Sequence, residues 1–425
     1  MPGLCGAVNK VGVNKSGDSP VASSWALVDE TLQSYAQKHT FPGYVAGVAN
    51  KSGFIYLSAY GSFTYGDPAP VTNTNPPMTP MTLFDMASLT KVLSTTTAVM
   101  LLYQWGHLNL DMKVSDPRLL GPGFAVNGKG DISLKNLLLH NAGYPPDPSP
   151  NYWDASFGCP QTANYHPAED FSCQAQIYAA LLNQTLVYPV GSQYIYSDLS
   201  MITMKYVVGI LVRDLGYVED TDLNYQCVHG RPDLAKTAPY FAQCYYEAFV
   251  RVHVFEFLDL DSTGFLPPLS SWGDCAPTWN DTVYRHELMQ GFVSDGNAYA
   301  LGGISGHAGL FSTVGDVQTL LYSLMFATSD DGFINSTTVK TFTTVYNATQ
   351  SSRALGWDTQ TFCGNLSATT YTHTGYTGTQ VCNDPERNII TILLTNRCYP
   401  NDPDTLITQA RIDFNNAVKT VVDSL

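Results

Sequence analysis

The chain has 425 residues, of which 44% are hydrophobic and 13% are charged. This length predicts two packed domains or one large domain with insertions, and the composition excludes a disordered chain. Acidic residues outnumber basic ones, 36 to 21, and the net charge of −15 argues against nucleic acid or an anionic membrane as the main partner. No run of residues approaches the roughly 20 apolar positions that a membrane-spanning helix needs.

In chain order, residues 1–20 are expected to form a flexible N-terminal arm. Apolar residues at helical spacing then predict an amphipathic helix from Trp25 to His39. Two strands follow, from Tyr44 to Ala49 and from Phe54 to Gly61, joined by a tight turn. After a proline-rich loop, the stretch FDMASLTKVLSTTTAVM predicts a helix that ends near Trp105, where a glycine follows.

The middle of the chain, residues 107–220, is predicted to be mostly helical, with an irregular Pro- and Tyr-rich stretch at 145–175 and a long helix from Tyr196 to Gly216. After residue 302 the character changes, and three strands and two helices are predicted. The strands are Gly309–Thr313, Thr372–Val381 and Asn388–Asn396, and the helices are Val314–Ala327 and Pro403–Ser424.

This order of elements predicts an α+β fold. The early hairpin and the late strands would share one antiparallel sheet flanked by helices, and an all-helical lobe would stand beside it. We expect an α/β sheet domain from residues 21–105 and 295–425, and a mainly helical domain at 106–294 with disulfide-bearing insertions. Small-molecule sites usually lie in the cleft between two such lobes.

Cysteines and glycosylation signals favour an oxidising compartment. The nine cysteines contain no C-x-x-C motif, which makes a zinc site unexpected. Three close pairs suit loop-closing disulfides, namely Cys159 with Cys173, Cys227 with Cys244, and Cys363 with Cys382, and the odd count leaves at least one thiol unpaired or intermolecular. Candidate N-glycan sites are Asn14, Asn50, Asn183, Asn280, Asn335, Asn347 and Asn365. We expect a secreted or extracytoplasmic protein, although the N-terminus shows no signal-peptide core, so either a signal has been removed or secretion is not classical.

Ser88 and Lys91 are three residues apart in a predicted helix, so their side chains share one face. Ser88 would lie in the first turn, where unpaired N–H groups favour a developing oxyanion. A serine becomes a nucleophile when a base takes its proton, and a lysine can do so only if its pKa is lowered toward neutrality. The S-x-x-K pattern also occurs by chance in a chain of this length, so it needs support from elsewhere.

That support comes from two later motifs, Tyr196-Ser197-Asp198 and His373-Thr374-Gly375. The ordered set S-x-x-K, Y-x-[N/D] and [K/H]-T-G resembles the serine β-lactamase-like superfamily, in particular class C β-lactamases, serine D,D-peptidases, D-aminopeptidases and family VIII carboxylesterases. The segments TLFDMASLTKV, LKNLLLHNAGYPP, LGGISGHAGLFST and LLTNR are also similar to that family. The resemblance covers about residues 25–420 and implies a β-lactamase/transpeptidase-like fold.

The resemblance implies a role for each motif residue. Ser88 would attack a carbonyl carbon, and either Lys91 or Tyr196 would take its proton, a choice that the sequence leaves open. The backbone N–H groups of Ser88 and Tyr376 would form the oxyanion hole, and Gly375 would allow a substrate to approach the backbone closely. No cofactor or metal is implied.

Two positions depart from the pattern of true β-lactamases. Asp198 stands where they have asparagine, and it could cap a helix beginning at Leu199, or pair with Lys91 and hold it charged, which would leave Tyr196 as the base. His373 stands where they have lysine, and it could bind a carboxylate or shuttle a proton. Both changes argue against efficient antibiotic hydrolysis.

The sequence therefore predicts a serine hydrolase that forms an acyl-enzyme on Ser88 and cleaves a small ester, amide or peptide. The alternatives are a β-lactamase proper and a secreted glycoprotein that keeps the fold without turnover. An α/β-hydrolase is disfavoured because the nearest stretch to G-x-S-x-G, GISGH, lacks the second glycine, and a metallohydrolase because H-E-x-x-H is absent. We interpret His140, Asn141 and His307 as structural residues of glycine-bearing loops.

Overall fold

The computed structural model describes residues 25–159, 173–225, 238–329, 332–401 and 406–425, so the predicted arm at 1–20 lies outside the described residues. The described helices are α1 (Ala26–Gln37), α2 (Thr97–Gln104), α3 (Leu134–Leu138), α4 (Gln174–Asn183), α5 (Asp198–Asp214), α6 (Ala242–Val250), α7 (Gly296–Ala300), α8 (Val314–Met325), α9 (Ser336–Thr343) and α10 (Ile407–Val422). The described strands are β1 (Gly43–Asn50), β2 (Gly53–Gly61), β3 (Phe84–Asp85), β4 (Gly264–Phe265), β5 (Asn280–Asp281), β6 (Glu287–Leu288), β7 (Leu310–Ser312), β8 (Asp358–Thr359), β9 (Tyr371–Thr374), β10 (Gln380–Asp384) and β11 (Ile389–Thr395).

Six strands form one antiparallel sheet in the order β2-β1-β11-β10-β9-β8. The early hairpin joins the late strands through β1 and β11, where Tyr44 lies opposite Thr395 and Ala49 lies opposite Ile390. The prediction that the early hairpin shares an antiparallel sheet with late strands is therefore confirmed for β9, β10 and β11, and this sheet brings together segments from the two ends of the chain.

Both faces of this sheet are covered by helices, because alternate strand residues point to opposite sides. On β1, Tyr44, Ala46 and Val48 belong to the apolar cluster that also contains the buried residues of α1 and α10. Val45 and Ala49 belong to the larger cluster, which includes residues of α2, α5 and α8. Burial on both faces explains the nearly continuous apolar run IITILLT in β11.

The middle of the chain is less helical than the sequence predicted. In the described part of 107–220, three helices, α3, α4 and α5, are separated by 3₁₀ turns and long loops. The helix α5 is buried around its whole circumference from Leu199 to Val212, which places it in the core. It packs closely on α6 at Gly209, where an added Cβ would lie 1.9 Å from the carbonyl oxygen of Ala242.

Two of the predicted late strands are placed differently by the structure. The segment 372–381 forms two strands, β9 and β10, because a turn interrupts it: the Gly375 N–H donates to the Thr379 carbonyl oxygen at 2.8 Å, and Gly378 adopts a left-handed φ of 104°. The strand predicted at Gly309–Thr313 is present as β7, but it belongs to a small sheet of order β3-β7-β4. That small sheet carries the residues just before Ser88.

Two of the predicted disulfides are confirmed, Cys159–Cys173 and Cys363–Cys382. Cys244 is also disulfide-bonded, and its predicted partner Cys227 lies outside the described residues. None of the helices in the described ranges is long and apolar enough to span a bilayer.

Candidate active site

The Ser88 hydroxyl lies at a sharp turn and not in the first turn of a regular α-helix. A 3₁₀ turn at Ala87–Leu89 leads into a π-helical segment at Lys91–Thr96, so the predicted continuous helix becomes α-helical only at Thr97. Ala87 has a φ of 46°, a left-handed conformation that costs an L-residue roughly 1–2 kcal/mol. Backbone strain and π-helical segments both concentrate at functional sites.

The Lys91 side chain is fully buried and lies among polar groups. Its Nζ lies 2.8 Å from Ser88 Oγ, 3.0 Å from the carbonyl oxygen of His307 and 2.7 Å from Asp198 Oδ1. Burial lowers the pKa of Lys91, but the Asp198 carboxylate and the Tyr196 hydroxyl outweigh burial and raise that pKa above its usual value. With a raised pKa, Lys91 is an ammonium ion, and its N–H groups face oxygen atoms of Ser88, His307 and Asp198.

Asp198 does not cap helix α5. Ser197 is the residue at the N-cap, and Asp198 is the first helical residue, so the capping role considered from the sequence is wrong. The carboxylate points instead toward the ammonium group of Lys91, and its side chain is 17% exposed.

The ring of Tyr196 is surrounded by two cations and two histidines. Lys91 Nζ lies 4.9 Å from the ring centroid, and the guanidinium carbon of Arg353 lies 5.1 Å from it. The rings of His140 and His373 lie 4.8 Å and 6.1 Å away, centroid to centroid. Burial, assisted by the nearby Arg353 and Lys91 charges, holds the pKa of both histidines well below the usual value. Both imidazoles are therefore neutral at neutral pH.

His373 is buried and its hydrogen bonding defines its tautomer. Its Nδ1 lies 2.9 Å from the carbonyl oxygen of Thr374, which can only accept, so Nδ1 carries the proton. Its Nε2 is buried and has no hydrogen-bond partner among the described residues. A neutral imidazole that presents a lone pair is poorly suited to binding a carboxylate, one of the roles considered for it from the sequence.

The turn between β9 and β10 packs against the nucleophile turn. A Cβ on Gly375 would lie 2.6 Å from the carbonyl oxygen of Met86, so a larger residue does not fit there. Thr377 Oγ1 donates to the carbonyl oxygen of Asp85 at 2.7 Å. The segment that carries Tyr376, a predicted oxyanion donor, is thereby held against the residues that precede Ser88.

Two arginines outside the sequence motifs also reach this region. Arg353 donates from Nε to the Tyr194 hydroxyl at 3.1 Å, and its Nη2 lies 3.5 Å from Asp358 Oδ2. Arg411, on α10, donates from Nη2 to the carbonyl oxygen of Gly375 at 2.6 Å. Nη1 of Arg353 and Nε of Arg411 are buried and have no hydrogen-bond partner within the described residues. No motif marks these arginines, and only the fold, which brings the loop before β8 and the helix α10 to this region, reveals them.

A cavity of about 440 Å³ joins these groups. Its lining contains most of the sequence-predicted site residues and three arginines: Ser88, Tyr196, His373, Gly375 and Tyr376, with Arg353, Arg397 and Arg411. Lys91 and Asp198 are absent from the lining: Lys91 contacts Ser88, and Asp198 contacts Lys91. The structure thus brings together all the residues predicted for the site, in a cleft that suits a small ligand.

Behind Lys91 lies a compact cluster of Asp198, Asp295 and His307, whose ligand atoms are within 4.8 Å of one another. His307 Nε2 is 2.9 Å from Asp295 Oδ1, and its Nδ1 is 2.8 Å from Ser305 Oγ, so both ring nitrogens are engaged. Burial would raise the pKa of Asp295, but His307 and Lys91 hold it well below its usual value. The cluster therefore places two carboxylates near the charge of Lys91, and one of them is paired with His307.

The comparisons with known proteins agree with this geometry. The family model described as Beta-lactamase matches residues 28–211 and 242–415, most of the chain. The chain belongs to the Beta-lactamase family, which confirms both the resemblance drawn from the motifs and the β-lactamase/transpeptidase-like fold.

Individual relatives differ in what their names describe. The chain is 28% identical to a putative D-alanyl-D-alanine carboxypeptidase of Escherichia coli K12, over 82% of this chain and 76% of that protein. It is 29% identical to an N-acetylmuramyl-L-alanine amidase of Bacillus subtilis, over 84% of this chain and 77% of that protein. A solved structure described as EstCE1, a hydrolase with promiscuous acyltransferase activity, superposes with a TM-score of 0.66 at 20% identity, over 94% of this chain and 99% of the other.

Proposed function

We propose that the chain is a serine hydrolase that forms an acyl-enzyme on Ser88 and cleaves a small ester, amide or peptide. The observation that carries this proposal is the contact between Ser88 Oγ, which lines the cavity, and the fully buried ammonium group of Lys91 at 2.8 Å. Such a contact orients the hydroxyl and stabilises negative charge on its oxygen as the proton leaves.

In this proposal Tyr196 is the general base and Lys91 is a fixed cation. Because Asp198 keeps Lys91 protonated, Lys91 Nζ has no lone pair with which to take the serine proton. Lys91 Nζ and the guanidinium carbon of Arg353 lie 4.9 Å and 5.1 Å from the centroid of the Tyr196 ring, which places Tyr196 beside the cation that contacts Ser88. Tyr196 would take the Ser88 proton during attack on the carbonyl carbon and deliver it to the departing alcohol or amine. Water would then attack the acyl-enzyme, with the same residue as base.

The buried arginines favour a substrate with a carboxylate group over a fully neutral ester. Nη1 of Arg353 and Nε of Arg411 are donors without partners among the described residues, and buried donors of this kind are normally satisfied. A carboxylate accepts such donors in a charge-assisted hydrogen bond. The name of the relative from Escherichia coli, a putative D-alanyl-D-alanine carboxypeptidase, describes an activity on substrates that end in a carboxylate.

A hydrolysis panel tests the proposal. Wild type and Ser88→Ala are assayed with p-nitrophenyl acyl esters, D-amino-acid anilides, peptides ending in D-alanyl-D-alanine and nitrocefin, and both are treated with a fluorophosphonate probe. We expect turnover and labelling in wild type and neither in Ser88→Ala. Fast nitrocefin turnover would favour the β-lactamase alternative. A folded wild type that is neither labelled nor active would favour the catalytically silent alternative.

We also propose that the protein acts outside the cytoplasm. The described disulfides support this location, because such bonds rarely persist in a reducing compartment. Of the sequon asparagines, Asn183, Asn280, Asn347 and Asn365 are exposed, Asn50 and Asn335 are partly buried, and Asn14 lies outside the described residues. Mass spectrometry of the protein from its native source, before and after enzymatic removal of N-glycans, tests which sites are modified.

A further inference from the structure

We infer that Asp85 is a positioning residue for acylation, because its carboxylate fastens the turn that carries Ser88 to the segment that supports Lys91. The inference goes beyond the proposed function but rests on Ser88 being the nucleophile. Asp85 belongs to none of the three motifs, and it neither lines the cavity nor touches the reacting hydroxyl.

The carboxylate of Asp85 is 2% exposed and uses its two oxygens on two different parts of the chain. Oδ1 accepts the Ala87 N–H at 2.9 Å, and Oδ2 accepts the Ser294 N–H at 2.7 Å. The first bond holds Ala87 in its left-handed conformation directly before Ser88. The second bond reaches across more than 200 residues of sequence to the segment that leads into α7.

The segment that contains Ser294 is connected through Asp295 to His307, whose carbonyl oxygen accepts a hydrogen bond from Lys91. The residue after Ser294 is Asp295, which caps α7 by accepting the Ala298 N–H at 2.7 Å and which also contacts His307 Nε2 at 2.9 Å. The carbonyl oxygen of His307 accepts from Lys91 Nζ at 3.0 Å. A continuous path of short contacts therefore runs from the backbone before Ser88, through Asp85, to the ammonium group that orients the serine.

The electrostatic setting of Asp85 supports a functional reason for a charge at this position. Burial raises the pKa of Asp85, and the N–H groups of Ser294 and Ala87 only partly offset that effect. A buried carboxylate without a cationic partner destabilises a fold unless its hydrogen bonds compensate. A buried carboxylate such as that of Asp85 is expected where two backbone segments must keep a fixed relative position. Here the two segments are the turn before Ser88 and the segment at Ser294, and their position aligns the Ser88 hydroxyl.

Asp384 offers a control, because it is also a fully buried aspartate that accepts backbone N–H groups, and in addition it is ion-paired with Arg387 at 3.0 Å. It accepts from Ser367 and Glu386, both at 3.0 Å, near the end of β10 opposite the turn that packs on Met86. Replacing Asp384 by asparagine perturbs a similar kind of hydrogen bonding without touching the nucleophile turn.

The test compares Asp85→Asn with Asp384→Asn. An asparagine keeps one acceptor oxygen but turns an NH₂ group toward one of the two N–H donors, so the turn shifts. Because small misplacements of a reacting group can reduce rates by about 100-fold, we expect kcat of Asp85→Asn to fall roughly 10- to 100-fold with KM changed less than about 3-fold. The rate of fluorophosphonate labelling should fall in parallel. Asp384→Asn should keep kcat within about 2-fold of wild type even if its thermal stability falls equally.

Three outcomes would overturn the inference. In the first, Asp85→Asn keeps wild-type kcat and labelling rate. In the second, Asp384→Asn loses as much kcat as Asp85→Asn, which would make the effect one of general stability. If Asp85→Asn does not fold, hydrogen exchange of the wild type decides: the Ala87 and Ser294 amides should exchange as slowly as those of β11, and exchange of either within seconds would contradict the carboxylate contacts. Wild type is first shown to turn over through Ser88, so that failure of the proposed function is recognised separately.

Discussion

The ion pair between Lys91 and Asp198 leads to a quantitative prediction for Asp198→Asn. The substitution keeps the shape of the side chain and removes the negative charge that lies 2.7 Å from the buried Lys91 Nζ. Breaking a buried ion pair by removing one partner costs about 3–5 kcal/mol. Asp198 is 17% exposed, and Lys91 keeps its contacts to Ser88 and His307, so we expect the lower end, about 3 kcal/mol of unfolding free energy at pH 7.

The loss should depend on pH with a defined sign. In wild type the pKa of Lys91 is raised, so its contribution to stability is complete below the unfolded value of about 10.4 and is lost only as pH rises through the folded pKa. Without Asp198, burial dominates and lowers that pKa. Between the lowered pKa and about 10.4 the unfolded chain binds more protons than the folded one, so the variant gains about 1.4 kcal/mol per pH unit relative to wild type.

Urea denaturation of wild type and Asp198→Asn at pH 7, 8.5 and 10 measures the difference between their unfolding free energies. Lys91→Met, alone and combined with Asp198→Asn, provides the control, because Asp198 has no ammonium group to pair with in that background. We expect Asp198→Asn to cost less than about 1 kcal/mol there, which gives a coupling energy of about 2 kcal/mol. A loss of stability that stays constant with pH, or one of equal size in the Lys91→Met background, would contradict an ion pair between Lys91 and Asp198 that stabilises the fold.

Three further predictions concern the stability of the fold. Gly209→Ala, which would stabilise an ordinary helix, should instead cost about 2 kcal/mol or more by urea denaturation, because the new Cβ meets the Ala242 carbonyl oxygen; a gain in stability would contradict the packing of α5 on α6. Replacing Cys363 and Cys382 together by alanine should lower the unfolding free energy by about 3 kcal/mol, since the disulfide closes a separation of 19 residues; unchanged thermal unfolding would contradict this. The pKa of His373 is lowered in the folded protein, so below about pH 6.5 the unfolded chain binds a proton that the folded chain does not bind. The unfolding free energy should therefore fall by up to about 1.4 kcal/mol per pH unit as the pH decreases, and His373→Gln should reduce that slope.

Local patterns in the sequence were enough to find the sheet and the motif residues. The hairpin strands and β11 are marked by apolar runs and a tight turn, features that lie within ten residues of one another. Ser88 and Lys91 are likewise neighbours, and their contact at 2.8 Å follows from the helical turn between them. The prediction of one continuous strand over Thr372–Val381 was wrong because two local signals compete there. The threonines and tyrosines of YTHTGYTGTQV favour a strand, but its glycines interrupt it.

The loops of the middle region were harder to predict for a different reason. Buried apolar residues such as Leu108, Val114 and Phe124 are scattered in these loops between exposed polar ones, and this mixture imitates the pattern of an amphipathic helix. The 107–220 region therefore has the composition of a helical lobe, but its described part is built largely from loops around the core helix α5.

The motifs and apolar runs are sufficient to predict the family, the fold and the three motif residues Ser88, Tyr196 and His373. The contacts between these groups become visible only in the folded chain, where Asp198 faces Lys91 and raises its pKa, and where Arg353 lies beside Tyr196. The physical reason is that protonation depends on burial and on charges a few ångströms away. Those neighbours come from segments more than 100 residues distant in sequence, whose approach no local pattern records.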